Sequence, residues 1–209
     1  MNQFQKGLMA YFTEEQLKRI AALKVGIAGA GGLGSNCAVN LVRSGFQKFV
    51  IADFDRVEAS NLNRQFYFLK QLGEYKVAAL KDNLLAINPD LELLTLPVLI
   101  TKDNCDEIFG DCDVLVEAFD QPIVKQMFLE HFWDSSKLLV AASGIAGFGD
   151  SDRLAVNRLK ENIYLIGDRV SGIDLKPPFS PCVNIAAAKQ ADLILAYALE
   201  GTDEDLSFD

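Results

Sequence analysis

Apolar residues along this chain follow two rhythms. Short, almost unbroken apolar runs at Lys24 to Ala30, Lys48 to Asp53, Leu91 to Leu96, Asp113 to Phe119 and Lys137 to Ala142 read as buried strands. Between them the apolar positions recur at helical spacing. Thr13 to Leu23 opens with a capping box, Thr13 and Gln16, and puts Leu17, Ile20 and Ala21 on one face. Leu33 to Ser44 reads as a helix closed by Gly45, and Gly73 to Asn88 as one with Val77, Leu80, Leu84 and Ile87 aligned and Pro89 ending it. Asn104 to Phe109 and Pro122 to Trp133 follow as further helices. After the fifth strand the rhythm changes. Arg153 to Leu159 alternates as an antiparallel strand does, Asn162 to Ile166 is a short strand, Lys176 to Pro181 is a proline-rich loop, and Val183 to Leu199 is a closing helix. Strands alternating with helices predict an α/β fold: a doubly wound, mostly parallel sheet with a C-terminal antiparallel extension.

Composition narrows this to one domain. The chain has 209 residues, half of them hydrophobic, enough for a single sizeable core. Residues 1–23 form a leading helical segment, 24–200 the core and 201–209 an acidic tail. The net charge of −9 and a pI near 4.7 argue against a nucleic-acid partner held by a basic footprint. Met1 to Ala10 lacks the pattern of a signal peptide, and the closing helix carries Lys189, Gln190 and Asp192, so no membrane span and a cytoplasmic location are expected. Cys37, Cys105, Cys112 and Cys182 form no Cys-x-x-Cys pair, so no zinc is expected. His131, the single histidine, lies beside Phe132 and Trp133, where packing is its expected role.

The first strand runs into Gly29, Gly31 and Gly34 in G-x-G-x-x-G spacing, and a helix follows. Gly29 permits a tight turn, Gly31 admits a phosphate to the backbone, and Gly34 lets helix and strand approach. The first-turn amides of such a helix favour an anion. Asp53 closes the second strand at the distance, about 20 residues on, expected of a ribose-binding acid. Asp120 ends the fourth. To this point an NAD-dependent oxidoreductase fits as well as an ATP user. The segment from Asp53 to Gln65 separates them. Arg64 offers a bidentate fork to phosphate, and Asn61 and Gln65 offer neutral donors, a set that a dinucleotide does not need there. Lys76 falls in the first turn of the next helix, where a cation opposes the helix dipole, a local conflict that points to function.

These residues resemble the ThiF/MoeB/HesA family, relatives of the ubiquitin-activating enzymes. The matching pieces are the glycine run Gly29 to Gly34 with Gly32 in it, Asp53-x-Asp55, Ser60-Asn-Leu-Asn-Arg-Gln65, Gly73-x-x-Lys76, Asp120, Pro181-Cys-Val and Ala188-Lys-Gln-Ala191. The compact length looks most like the short ThiF-like proteins of thiamine biosynthesis. The resemblance implies a Rossmann-like fold and adenylylation, with ATP, of the C-terminal Gly-Gly carboxylate of a small ubiquitin-like sulfur carrier. It implies that Gly29, Gly31, Gly32, Gly34, Asp53, Asp55, Asn61, Arg64, Gln65 and Lys76 bind the nucleotide. Arg64, Lys76 and Asp120 would be catalytic, with Asp120 holding Mg²⁺, and the chain would pair as a homodimer. Activation of a tRNA-bound carboxylate and a non-catalytic partner role are the other readings within the family. The chain departs from the family at three points. It lacks the zinc cysteines. None of Lys6, Lys18 and Arg19 matches an arginine often found near the N-terminus. Lys125 stands where relatives often carry arginine, while Cys182 opens the closing helix.

Overall fold

A computed structural model describes residues 1–171 and 176–200. Among these, seven strands form one sheet in the order β3-β2-β1-β4-β5-β7-β6. The strands are β1 (Lys24–Ala28), β2 (Lys48–Ala52), β3 (Glu92–Leu96), β4 (Val114–Glu117), β5 (Leu138–Ala142), β6 (Val156–Lys160) and β7 (Ile163–Ile166). All neighbours pair in parallel except β6 with β7. The helices are α1 (Gln3–Leu8), α2 (Glu14–Ala22), α3 (Gly32–Arg43), α4 (Lys76–Leu85), α5 (Cys105–Phe109), α6 (Pro122–Phe132) and α7 (Ser180–Glu200). The doubly wound, mostly parallel sheet with an antiparallel extension is thus as expected, while residues 201–209, the acidic tail, lie outside the described residues.

Alternation along each strand splits the core in two, because successive side chains face opposite sides of a sheet. Val25, Ile27, Phe49, Ile51, Val114, Val116, Leu138 and Val140 join one buried cluster with residues of α2, α3, α4 and α7. Ala28, Val50, Ala52, Leu115 and Leu139 join the other, which holds Cys105 and Phe109 of α5 and Phe128 and Phe132 of α6. His131 sits edge-on to Phe132 with Nε2 3.1 Å from Asp106. Alpha-7 has the length and hydropathy of a membrane span, but Val183, Ala186, Ala187, Gln190, Leu193 and Ile194 are buried within the protein.

Several boundaries differ from those expected, each for a physical reason. The helix α4 starts at Lys76, not Gly73, because Gly73 has φ +84° and residues 73–75 run extended against 55–57, with a bridge between Arg56 and Tyr75. The fourth strand ends at Glu117, so Asp120 lies three residues beyond the strand, in a loop. Alpha-7 begins at Ser180, taking in Pro181, whose missing N–H costs nothing in a first turn. Alpha-1 was not foreseen: it buries no residue, so no apolar rhythm marks it, and the Asn2–Gln5 capping box defines it.

The crossover from β3 through α5 returns the chain to the far side of β1. Strand order therefore reverses between β1 and β4, and a crevice opens beyond their carboxyl ends.

Candidate active site

The crevice is a cleft of about 810 Å³, within the ordinary range for a small-molecule site. Gly29, Gly31, Gly32, Asp53, Asp55, Arg64, Gln65, Lys76 and Asp120 all line it, with Val98, Leu99, Ile100, Phe119 and Val124 as an apolar wall. Two of the expected residues stay outside. Gly34 packs: a Cβ there would stand 1.9 Å from the Gly29 carbonyl oxygen. Asn61 is turned into its own loop, where its Oδ1 accepts the Glu58 amide at 3.0 Å and its Nδ2 lies 3.5 Å from Ser60 Oγ. That correction has a simple cause, since asparagine competes readily for nearby backbone in a turn.

The glycine turn is fixed by neighbours. Gly29 has φ +103°, and a Cβ on it would meet the Ala118 carbonyl oxygen at 2.8 Å. Asp53 Oδ2 accepts the Ala30 amide at 2.6 Å, and its Oδ1 accepts the Asp55 amide at 2.8 Å. Burial raises the Asp53 pKa above its usual value, against the pull of those amides and of Lys76. On the other side Tyr67 donates its hydroxyl to the Ala30 carbonyl at 2.6 Å. Burial, with the Asp53 and Asp55 charges, raises that phenol far above its ordinary pKa, so it stays a donor. Ser35 Oγ donates to Gly31 O at 2.6 Å and accepts the Phe66 amide at 3.0 Å, while Asn36 Nδ2 bridges the carbonyls of Gly32 and Arg64. The 64–67 segment and the start of α3 are therefore stitched into one body. Tyr67, Ser35 and Asn36 escaped the sequence reading because each works through backbone atoms, which leave no spacing to detect.

Arg64 lays its aliphatic stem beside Gly32 and donates Nη1 to Ser60 O at 3.2 Å and Asn63 Oδ1 at 2.8 Å. Gln65 is 8% exposed, and its Oε1 has no hydrogen-bond partner among the described residues. A buried amide oxygen left unmatched is costly. Lys76 is buried, and its Nζ lies 2.7 Å from the half-exposed Asp55 carboxylate. The Arg56 guanidinium stacks 3.9 Å from the Tyr75 ring centroid and caps Gly73 O, which holds the Lys76 turn in place.

The opposite wall is the loop Ser143 to Ala146. Arg153 braces it from behind with bonds to the carbonyls of Gly144 at 3.2 Å and Ala146 at 2.5 Å and to the Asp168 carboxylate. Burial alone would raise the Asp168 pKa, but the Ser171 hydroxyl and amide, the Val170 amide and Arg153 outweigh it and hold it well below the usual range. Cys182 is buried in the first turn of α7.

Residues 4–164 match the ThiF family. This chain belongs to the ThiF family. Among curated relatives it is 37% identical to the sulfur carrier protein adenylyltransferase of Thermus thermophilus over 108 residues, 51% of this chain and 39% of that protein. It is 32% identical to the adenylyltransferase and sulfurtransferase UBA4 of Candida glabrata over 68% of this chain and 33% of that protein. It is 28% identical to the tRNA threonylcarbamoyladenosine dehydratase of Bacillus subtilis over 75% and 62%. The match spans between about a third and just under two thirds of the length of these curated relatives. In fold it is similar to the E. coli tRNA N6-threonylcarbamoyladenosine dehydratase, with TM-score 0.80, 19% identity and coverage of 96% and 94%. It is also similar to E. coli MccB solved with ATP, with TM-score 0.73, 22% identity and coverage of 99% and 66%.

Proposed function

We propose that this chain activates a carboxylate by adenylyl transfer from ATP. A carboxylate oxygen forms a bond to the α-phosphorus, the bond from that phosphorus to the bridging oxygen breaks, and pyrophosphate leaves with the electron pair. The product is an acyl-adenylate. The observation that carries this reading is the polar end of the cleft, which Arg64, Gln65 and Lys76 line together with Gly29, Gly31 and Gly32. Charge-stabilising groups set in advance around a transferring phosphoryl group are the main means of catalysis in such reactions. Asp53 would hold the ribose, and the apolar wall of Val98 to Ile100 would take the base. No group of three or more His, Cys, Asp or Glu gathers as a metal site among the described residues, so an ion would depend on phosphate oxygens, with Asp120 as the protein's carboxylate. Mg²⁺ so held would offset phosphate charge.

For the substrate we infer the C-terminal Gly-Gly carboxylate of a small ubiquitin-like sulfur carrier in thiamine biosynthesis, acted on by a homodimer. The 37% identity to a sulfur carrier protein adenylyltransferase supports this. A second reading, a carboxylate carried on tRNA, draws on the 94% coverage of the E. coli dehydratase, but the net charge of −9 counts against it. Mixing the protein with ATP, Mg²⁺ and either a ThiS-like carrier or tRNA bearing threonylcarbamoyladenosine tests both. Mass spectrometry should find AMP added to the carrier's terminus. Turnover of the tRNA alone would overturn the carrier assignment, and turnover of neither would overturn adenylyl transfer to these substrates.

A further inference from the structure

One charged pair beside the cleft sits where two strands of the sheet part company. Strands β4 and β5 pair at Val114–Leu138, Leu115–Leu139 and Val116–Val140, and the pairing stops there. Glu117, the next residue, is wholly buried. Its Oε1 accepts the Phe119 amide at 2.8 Å, and its Oε2 meets Lys125 Nζ at 2.5 Å. The same ammonium donates to the Ala142 carbonyl, at the end of β5, at 2.7 Å. From behind, Gln190 Nε2 of α7 reaches the carbonyls of Glu117 at 3.3 Å and Val140 at 3.4 Å. One lysine thus spans the gap where two strands part and ties both ends to α6.

A buried ion pair is a poor way to gain stability, since well-packed apolar groups of equal volume often do as well. Its distinctive product is fixed geometry. Phe119 immediately precedes Asp120, and Ala142 immediately precedes the Ser143 to Ala146 wall. Lys125 also lines the cleft, with two of its three ammonium donors engaged by Glu117 and Ala142, and Glu117 has no solvent to retreat into.

We propose that Lys125 is a positioning residue that, through Glu117 and Ala142, sets the distance between Asp120 and the opposite wall of the cleft; its effect on turnover rests on the adenylyl-transfer reading. Lys125→Met, Lys125→Arg and the double variant Glu117→Gln/Lys125→Met test it by two readouts. The first is hydrogen exchange at the Phe119 and Ala146 amides without nucleotide. The second is ATP–pyrophosphate exchange with a ThiS-like carrier. Lys125→Met should speed amide exchange about ten-fold. It should lower kcat by roughly ten-fold or more, as misplacement of reacting groups does, with the KM for ATP held within about three-fold. Lys125→Arg, which keeps the charge and the reach, should restore both. The double variant, free of a stranded carboxylate, should regain thermal stability but not kcat. Unchanged amide exchange would overturn the proposal. So would a double variant with full kcat, because the pair would then be structural only, or a KM that rises as far as kcat falls, because Lys125 would then be a nucleotide ligand. If the unaltered protein shows no pyrophosphate exchange, the adenylyl-transfer reading fails instead, and amide exchange still decides whether Lys125 holds the two walls.

Discussion

Two lysine–carboxylate pairs border the same cleft with opposite burial. In the first the lysine is hidden and the acid is open: the Lys76 side chain is 8% exposed and that of Asp55 46%. In the second the acid is hidden: Glu117 is at 0% and Lys125 at 17%. The difference teaches which cation a phosphate can claim. Asp55 can turn to water when an anion arrives, so Lys76 can change partners at small cost. Glu117 cannot leave without stranding a charge in the core, so Lys125 stays where it is.

The largest expected effect would break the second pair. Lys125→Met leaves Glu117 unpaired in the interior and should cost about 3–5 kcal/mol of stability, read by denaturant unfolding. If the loss is as small as that of an exposed pair, the contrast drawn here is wrong. Next, Arg64→Ala or Lys76→Ala should each lower turnover on the order of 100-fold or more, with unfolding little changed for Arg64→Ala. Near-normal pyrophosphate exchange in both would remove them from the chemistry. Tyr67→Phe removes the donor to Ala30 and leaves a buried carbonyl unmatched, for about 1–3 kcal/mol, and should weaken nucleotide binding through the glycine turn. Asp55→Asn should sharpen the comparison from the other side. Its pair is half open to solvent, so the stability change should stay within about 0–1 kcal/mol, while the KM for ATP shifts because Lys76 loses its resting partner.

Acid gives a further handle on the wall opposite the glycine turn. Asp168 has its folded pKa held below the unfolded one, so its contribution to stability is present above the unfolded carboxylate value, ~3.9, and is lost as pH falls toward the folded one. Asp168→Asn should therefore lower Tm at neutral pH, and the gap to the unaltered protein should narrow below about pH 4. A gap that widens on acidification would contradict the Arg153–Asp168 brace.

Much of this was legible in the sequence, and what was missed has physical causes. The strand runs, the glycine turn and the placing of Asp53, Arg64 and Lys76 beside one cleft could be read because each sits in a local pattern that spacing reveals. The Asn61 side chain lies outside the cleft, because spacing shows that an amide is near, not which way it turns. The stitching by Tyr67, Ser35 and Asn36 is contact between distant segments through backbone atoms. Glu117 did leave a signal: an acid inside the apolar run Asp113 to Phe119 calls for a partner, and Lys125 lies eight residues on, in the first turn of the following helix. Alpha-4 starts later than its apolar rhythm suggests, because the extended pairing of residues 55–57 with 73–75 is invisible to helical periodicity.

Strand β1 has a neighbour on either side, β2 and β4, and the glycine turn hangs from its end. Fraying at a sheet margin does not reach that turn, which is anchored to the middle of the sheet. A ligand seated there would accordingly register as resistance of the entire protein to melting and proteolysis, rather than as the quieting of one loop.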